Sequence, residues 1–181
     1  TNPVWVIDPL DGTGNYIEGK PQFAVIVALL QGGFVRAGWI YDPINDEMVW
    51  AIKGHGAWRD GQQIRIPKMS DDLATTKGRM APRFYRPKLK KHIEDQVGSF
   101  AEISSASCAG QDFLALLRGD AQFAAFRGNR PWDVAAGQFI YQEAGGYAAH
   151  IDSMPYRPGY GMGLPLLMAP EGLSWKKLRD M

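Results

Sequence analysis

The sequence has one cysteine, Cys108. That count excludes an intrachain disulfide framework and a cysteine-based zinc site, and it points to a reducing, cytoplasmic setting. Apolar residues never run long enough to span a bilayer; the longest stretch, Phe23 to Leu30, is one strand in length. No excess of one charge exists either. Twenty Lys and Arg against nineteen Asp and Glu leave a net charge of +1, so the overall field calls for neither a nucleic acid nor an anionic membrane. Glycine and proline are plentiful (21 and 12) but follow no period, which rules out collagen-like and low-complexity chains. With 45% of 181 residues apolar, a hydrophobic core can form and disorder is not the theme.

The pattern changes along the chain. Val4 to Ile7 is a short β-rich run that stops at the turn cluster Asp8-Pro9-Leu10-Asp11-Gly12-Thr13. Phe23 to Leu30, Phe34 to Tyr41 and Glu47 to Ile52 follow, separated by Gln31-Gly32-Gly33 and Asp42-Pro43-Ile44-Asn45-Asp46. Such separators are hairpin chemistry, so this half reads as an antiparallel meander, with a further hairpin from Ala57-Trp58 and Gln63 to Ile66. Past Pro67, strand candidates Ala74 to Ala81, Gln122 to Phe126, Tyr147 to Ile151 and Leu166 to Ala169 alternate with helices. These helices are Pro87 to Gly98, Gly110 to Arg118, Pro131 to Ala144 and one from Pro170. The expected class is therefore α/β, in an α+β layered sense. An antiparallel lobe over residues 1–68 would carry the acidic turn, and a mixed-sheet lobe over 69–181 would carry the best helix.

Chemistry concentrates in two places. Asp8 and Asp11, at the end of a strand, can converge on one point if the turn is tight, with the Leu10 carbonyl as a further oxygen donor. Gly12 lets a ligand approach the backbone, and the amides after it can form an anion-binding nest. The competing reading is a plain acidic turn whose Asp caps a short helix. The second place is Trp132-Asp133-Val134-Ala135-Ala136-Gly137, where Asp133 lies in a first helical turn and a carboxylate is favoured by the dipole alone. Ala135, Ala136 and Gly137 point to close packing against a neighbour.

Together these segments resemble the inositol monophosphatase family of Mg²⁺-dependent, lithium-sensitive phosphomonoesterases. Val6-Ile7-Asp8-Pro9-Leu10-Asp11-Gly12-Thr13 with Asn15-Tyr16 looks like the family's first signature. Trp132 to Gly137 with Glu143-Ala144-Gly145-Gly146 looks like its second, and Gly54-His55-Gly56-Ala57-Trp58 fits a family hairpin. The resemblance implies a sugar-phosphatase-like fold and hydrolysis of a small-molecule phosphate monoester by a cytoplasmic homodimer. It implies two or three Mg²⁺ ions, with Asp8 bridging, Asp11 and Asp133 as ligands, and the Leu10 carbonyl as another. The Gly12 and Thr13 amides would bind phosphate, and the Thr13 hydroxyl would help activate water, so Asp8 and Thr13 are the catalytic candidates. Cys108 and Ala109 align with a substrate-contacting segment. Phe126 stands where inositol-specific members place a glutamate, which points to a substrate other than, or broader than, inositol monophosphate, with histidinol phosphate, a sugar phosphate or a phosphoadenosine compound open. The family also uses a glutamate from a segment ahead of the first signature, and none precedes Asp8. The chain is thus expected to be a piece of a longer protein without the family's N-terminal helices, inactive or weakly active, and with an exposed apolar face.

Other signals are set aside. Gly14 to Lys20 has P-loop spacing, but Pro21 stands where a hydroxyl would hold Mg²⁺. His55, His92 and His150 show no metal-ligand spacing. The one rival function is a non-catalytic nucleic-acid-binding module built on the basic and aromatic segment 83–92, against which the near-neutral total charge argues. Within that segment Arg83 is also a candidate for holding an anionic part of a substrate.

Overall fold

The computed structural model describes residues 2–82, 85, 87–128, 130–161 and 163–181. In chain order the elements are β1 (Val4–Asp11), α1 (Thr13–Ile17), β2 (Ala24–Gln31), β3 (Phe34–Asp42), β4 (Glu47–Ile52), β5 (Ala57–Arg59) and β6 (Gln62–Ile64). A single 3-10 turn (Leu73–Thr75) leads to β7 (Lys77–Met80), α2 (Pro87–Val97), β8 (Glu102–Ser104), α3 (Ala109–Arg118) and β9 (Phe123–Phe126). The chain closes with α4 (Pro131–Glu143), β10 (Tyr147–His150), β11 (Leu166–Ala169) and α5 (Gly172–Arg179).

Strands β1 to β6 form one antiparallel sheet in sequence order, the expected meander. The second sheet has the order β10-β11-β9-β7-β8 and is mixed, with β7 parallel to both β8 and β9. The expected pairing of an antiparallel with a mixed sheet is what the chain forms. Several segments differ from the sequence reading, β1 among them, since it runs on through the acidic turn cluster to Asp11. The Ala74–Ala81 strand is shorter because Asp72 caps a 3-10 turn by accepting a bond from the Ala74 amide at 3.0 Å. The three-residue β8 has too little alternation to register as a strand and forms because β7 offers it an edge.

Helices α3 and α4 lie between the two sheets. The layer is thin because its contacts are made by very small residues. A Cβ at Gly38 of β3 would come within 3.1 Å of the Ala136 Cα on α4. One at Gly110 would meet the Ala24 side chain at 2.6 Å, and one at Gly137 would enter the Phe113 ring at 2.2 Å. Inward positions Ala24, Ile26, Ala28, Ile40, Val49, Ala51 and Ala57 join Phe113, Leu114, Val134, Ala135 and Ile140 in one core that also takes in Ala124, Ala148, Leu166 and Met168 of the second sheet. The other face of the second sheet packs Phe123, Leu167 and Ala169 on Trp175 of α5. At the far end of the helix layer, Arg118 binds Glu47 and the fully buried Asp42 side chain, tying α3 to the β3–β4 turn.

Among the described residues, no layer covers the outer face of the first sheet. Its outward positions include Trp5 and Ile7; Val25, Val27, Leu29 and Gln31; Phe34, Ala37, Trp39 and Tyr41; Met48, Trp50 and Ile52; Trp58; and Gln63. Not one is charged, although an antiparallel face turned to water ordinarily alternates toward polar residues. Trp5 is 56% exposed and Ile7 54%, while Trp5 with Trp39 and Trp50 with Trp58 form ring pairs 5.9 and 6.0 Å apart. A face of this size drives association. The 181-residue chain is expected to self-associate with rising concentration by light scattering, and Trp39→Lys with Trp50→Glu to shift it toward monomer. In the helix layer, Gly137→Ala must displace a wholly buried phenyl ring, so it is expected to cost about 1–3 kcal/mol in a denaturant titration.

Candidate functional site

The site begins with a fault in strand pairing. β1 pairs with β2 in simple register down to Asp8 opposite Ile26, and the next pair is Asp11 opposite Ala24. Three steps on one strand against two on the other is a one-residue bulge at Pro9-Leu10, where proline has no amide to give the ladder. Side chains alternate along a strand, so residues 8 and 11 would face opposite ways without it. The bulge turns both aspartates to the inner face, toward α4. The Leu10 amide donates to Asp8 Oδ1 at 3.0 Å, closing the turn.

Gly12 follows at φ 81°, in the left-handed region. A Cβ there would lie 2.7 Å from the Gln22 carbonyl and 3.0 Å from Cys108 Cβ, so both conformation and space demand glycine. Thr13 opens α1, and its hydroxyl donates to the Leu10 carbonyl at 2.7 Å. Asn15 fixes this short helix by donating to the Gln22 and Ala106 carbonyls at 2.7 and 2.8 Å.

Asp133 arrives from the other direction, in the first turn of α4 after Pro131. One carboxylate oxygen from each of Asp8, Asp11 and Asp133 lies within 4.8 Å of the others. Asp11 is anchored from α3: the Gly110 amide donates to its Oδ2 at 2.6 Å and the Cys108 thiol at 3.1 Å. Of the other candidates, Cys108 is buried beneath Gly12 and Ala109 is half-buried at the start of α3. Phe126 sits at the end of β9, stacked on Phe113 with centroids 4.5 Å apart. The basic segment is only partly in view, because Arg83, Phe84 and Arg86 lie outside the described residues. In α2, Lys90 pairs with Glu94 and Lys91 with Asp95. His150 is fully buried, whereas His55 and His92 are exposed.

Burial and mutual repulsion set the electrostatics. Asp11 is pushed above the ordinary carboxylate range chiefly by burial, against the pull of the Gly110 amide. Asp133 is pushed up to about 6, first by burial and then by the charge on Asp11, with Arg130 pulling the other way. Burial, then the Asp11 charge, hold the Cys108 thiol far above its usual range, so it stays protonated and acts as a donor rather than a nucleophile. Three carboxylates gathered in this way are a hard-oxygen donor set for a divalent cation.

Sequence reasoning missed three contributors. Asp112, buried in α3, accepts from Ser105 Oγ and the Ala106 amide at 2.8 and 2.9 Å and so shapes the segment leading to Cys108. The Gly110 amide was hidden because a backbone donor leaves no residue-type signal. Tyr156 is 8% exposed, its hydroxyl has no hydrogen-bond partner among the described residues, and the Asp133 charge adds to the burial that raises it. It lies on the loop between β10 and β11, packed beside His150 with ring centroids 5.9 Å apart, and no local pattern foretells its burial.

A model described as the inositol monophosphatase family matches residues 1–172. The chain is 35% identical over 153 residues to a Nus factor SuhB of Xylella fastidiosa, covering 80% of this chain and 54% of that one. It is 34% identical over 155 residues to an inositol-1-monophosphatase of Mesorhizobium japonicum, covering 82% and 57%. It thus spans about half the length of the curated relatives it matches. Among solved structures, the Thermotoga maritima IMPase superposes with a TM-score of 0.84 at 27% identity, covering 99% of this chain and 68% of that one. An inositol monophosphatase from Anabaena gives 0.85 at 28%, covering 98% and 73%.

The Asp133 shift has a definite sign. Its proton is held more tightly in the folded chain, so the folded state gives up stability as pH rises from about 4 to 6 and does not regain it above. With a chelator present, Asp133→Asn is expected to raise the melting temperature at pH 7.5 by about 2–4 °C, and by nothing near pH 4. Divalent cation should reverse the order at pH 7.5 by stabilising the native sequence more, and this gain should fade below pH 6 as the ligand protonates.

Proposed function

Because the chain belongs to the inositol monophosphatase family, we propose that it carries the metal and phosphate site of a Mg²⁺-dependent phosphomonoesterase acting on a small-molecule phosphate ester. The observation that carries this reading is the convergence of Asp8, Asp11 and Asp133 within 4.8 Å. The donor set fits Mg²⁺, which prefers carboxylate and carbonyl oxygens; Asp8, Asp11, Asp133 and the Leu10 carbonyl would hold it. When bound, Mg²⁺ supplies charge neutralisation at the phosphate and a lowered pKa for water.

The chain's own groups do the rest. The Thr13 hydroxyl spends its proton on the Leu10 carbonyl, so toward water it offers only lone pairs. A water on Thr13 must therefore donate to it, which leaves its oxygen free to face phosphorus. That oxygen would form the new P–O bond as the ester P–O bond breaks, and one proton of the water would end on the departing alkoxide, leaving the alcohol and inorganic phosphate. The Gly12 and Thr13 amides would hold the phosphate oxygens, with Cys108 and Ala109 behind them and Asp133 on the leaving-group side. Phe126 offers a polyol no hydrogen-bond acceptor. This supports a substrate other than, or broader than, inositol monophosphate, with histidinol phosphate, a sugar phosphate or a phosphoadenosine compound in view. A single buried free thiol accords with a cytoplasmic setting, and a homodimer is the proposed assembly.

A second reading is a nucleic-acid-binding module, favoured by the Nus factor name that several relatives carry. The ion pairs within α2 occupy Lys90 and Lys91, two of the charges such a module would need.

Asp8→Asn with Asp133→Asn separates the readings. Several kcal/mol of charge stabilisation go with the cation, so phosphate release from an ester panel is expected to fall at least about 10³-fold. Calorimetric Mg²⁺ binding should vanish as well. Unchanged turnover would defeat the phosphatase reading. RNA affinity that is steeply salt-dependent and lost on changing Lys88, Lys90 and Lys91 would establish the module instead.

A further inference from the structure

One buried carboxylate near the site takes no part in the aspartate cluster. Asp112, 6% exposed in the first turn of α3, reaches back to the segment that leads into its own helix. Its Oδ1 accepts from the Ala106 amide at 2.9 Å and its Oδ2 from Ser105 Oγ at 2.8 Å. The same Ser105 oxygen accepts from the Ser107 amide at 3.1 Å, so one carboxylate governs three successive residues. Within that span Ser107 stands at φ 56°, in the left-handed region that favours glycine. From the opposite side, Asn15 of α1 donates to the Ala106 carbonyl at 2.8 Å and to the Gln22 carbonyl at 2.7 Å, which uses both its amide protons. Both backbone groups of Ala106 are therefore held by side chains, one from α1 and one from α3. Two places on, Cys108 lies against the phosphate turn: a Cβ on Gly12 would come within 3.0 Å of its Cβ. Asn15 and Asp112 thus clamp the segment 105–108 onto the turn that carries the Gly12 and Thr13 amides.

An acid in a first helical turn serves the helix by bonding to amides of that turn. Asp112 instead gives its oxygens to residues six and seven positions before it, so it holds the bend rather than the helix. None of these bonds involves Asp8 or Asp133, and Asp11 has its own bond from the Gly110 amide at 2.6 Å. We propose that Asp112 and Asn15 are positioning residues for the phosphate group. Acting through Ala106, they fix the spacing between the Gly12–Thr13 turn and the segment 107–109, where a phosphate ester would sit. The inference rests on the phosphate-ester reading above and divides the labour within its site: the aspartates serve the cation and the clamp serves the anion.

Calorimetry on the 181-residue chain reads two affinities, that for Mg²⁺ alone and that for inorganic phosphate at saturating Mg²⁺. Asp112→Ala and Asn15→Ala are each expected to weaken phosphate about tenfold while moving Mg²⁺ affinity by less than about twofold. Asp112→Asn should restore most of the loss, because its carbonyl oxygen can accept from the Ala106 amide and its NH₂ can donate to Ser105 Oγ. Since both side chains act through one residue, Asp112→Ala combined with Asn15→Ala should lose little more than the larger single variant. Ser105→Ala, which deletes a single hydroxyl, should weaken phosphate about two- to fivefold, and it carries the test if the alanine variants do not fold. Variants that melt earlier but bind phosphate as the unaltered chain does would show a clamp that is only structural, which overturns the assignment. Loss of Mg²⁺ and phosphate affinity in step, or additive losses in the double variant, overturns it as well. An unaltered chain that binds Mg²⁺ but no phosphate would remove the phosphate-ester reading itself, and the clamp's role with it.

Discussion

Like charges held close together are the constraint around which this chain is built. At 4.8 Å and an effective dielectric near 20, each pair among Asp8, Asp11 and Asp133 repels by on the order of 3 kcal/mol. Left to local forces, a turn with two aspartates would splay them and a helix start would point its own acid into water. Here two of the three are held in place against that tendency. The bulge at Pro9-Leu10 turns Asp8 and Asp11 to one face. The Gly110 amide and the Cys108 thiol clamp Asp11 from α3. Among the described residues Asp133 accepts no such bond, and burial and then the Asp11 charge push its carboxyl up to about 6.

The clamp works only if α3 and α4 lie close to the first sheet, and this explains the small residues between them. Gly38 faces Ala136, Gly110 faces Ala24 and Gly137 faces Phe113, each with no room for another methyl group. Close approach of backbone to backbone is also what lets an amide of α3 reach a strand-end carboxylate at 2.6 Å. The packing that stabilises the core thus sets the spacing of the three carboxylates. Arg118, reaching Glu47 and Asp42 at the other end of α3, keeps the helix from pivoting away from the sheet.

Much of this was legible in the sequence, unevenly and for identifiable reasons. The meander was readable because its separators are glycine- and aspartate-rich turns between alternating apolar runs, and β4 lies where the alternation puts it. The second sheet's short strands are harder: β8 has three residues and depends on a partner 25 positions away. Asp8, Asp11 and Asp133 could be named from two motifs, but spacing alone places residues 8 and 11 on opposite faces of a strand. Only the bulge reverses that, and proline at its centre is a weak sign of it. Asp112, the Gly110 amide and Tyr156 acquire their roles from contacts across the chain, which composition and periodicity do not encode.

The site's charge also orders what it can do. Three carboxylates make a field that repels a phosphate dianion, and the nearby amides of Gly12 and Thr13 are partial charges too weak to offset it. The chain's net charge of +1 gives no help, because its lysines and arginines are spread along the chain and many, such as Lys90 and Lys91, are already paired. On the proposed phosphatase reading, a phosphate ester would therefore be attracted only after cations had neutralised the aspartates, and the Gly12 and Thr13 amides would then select where its oxygens sit.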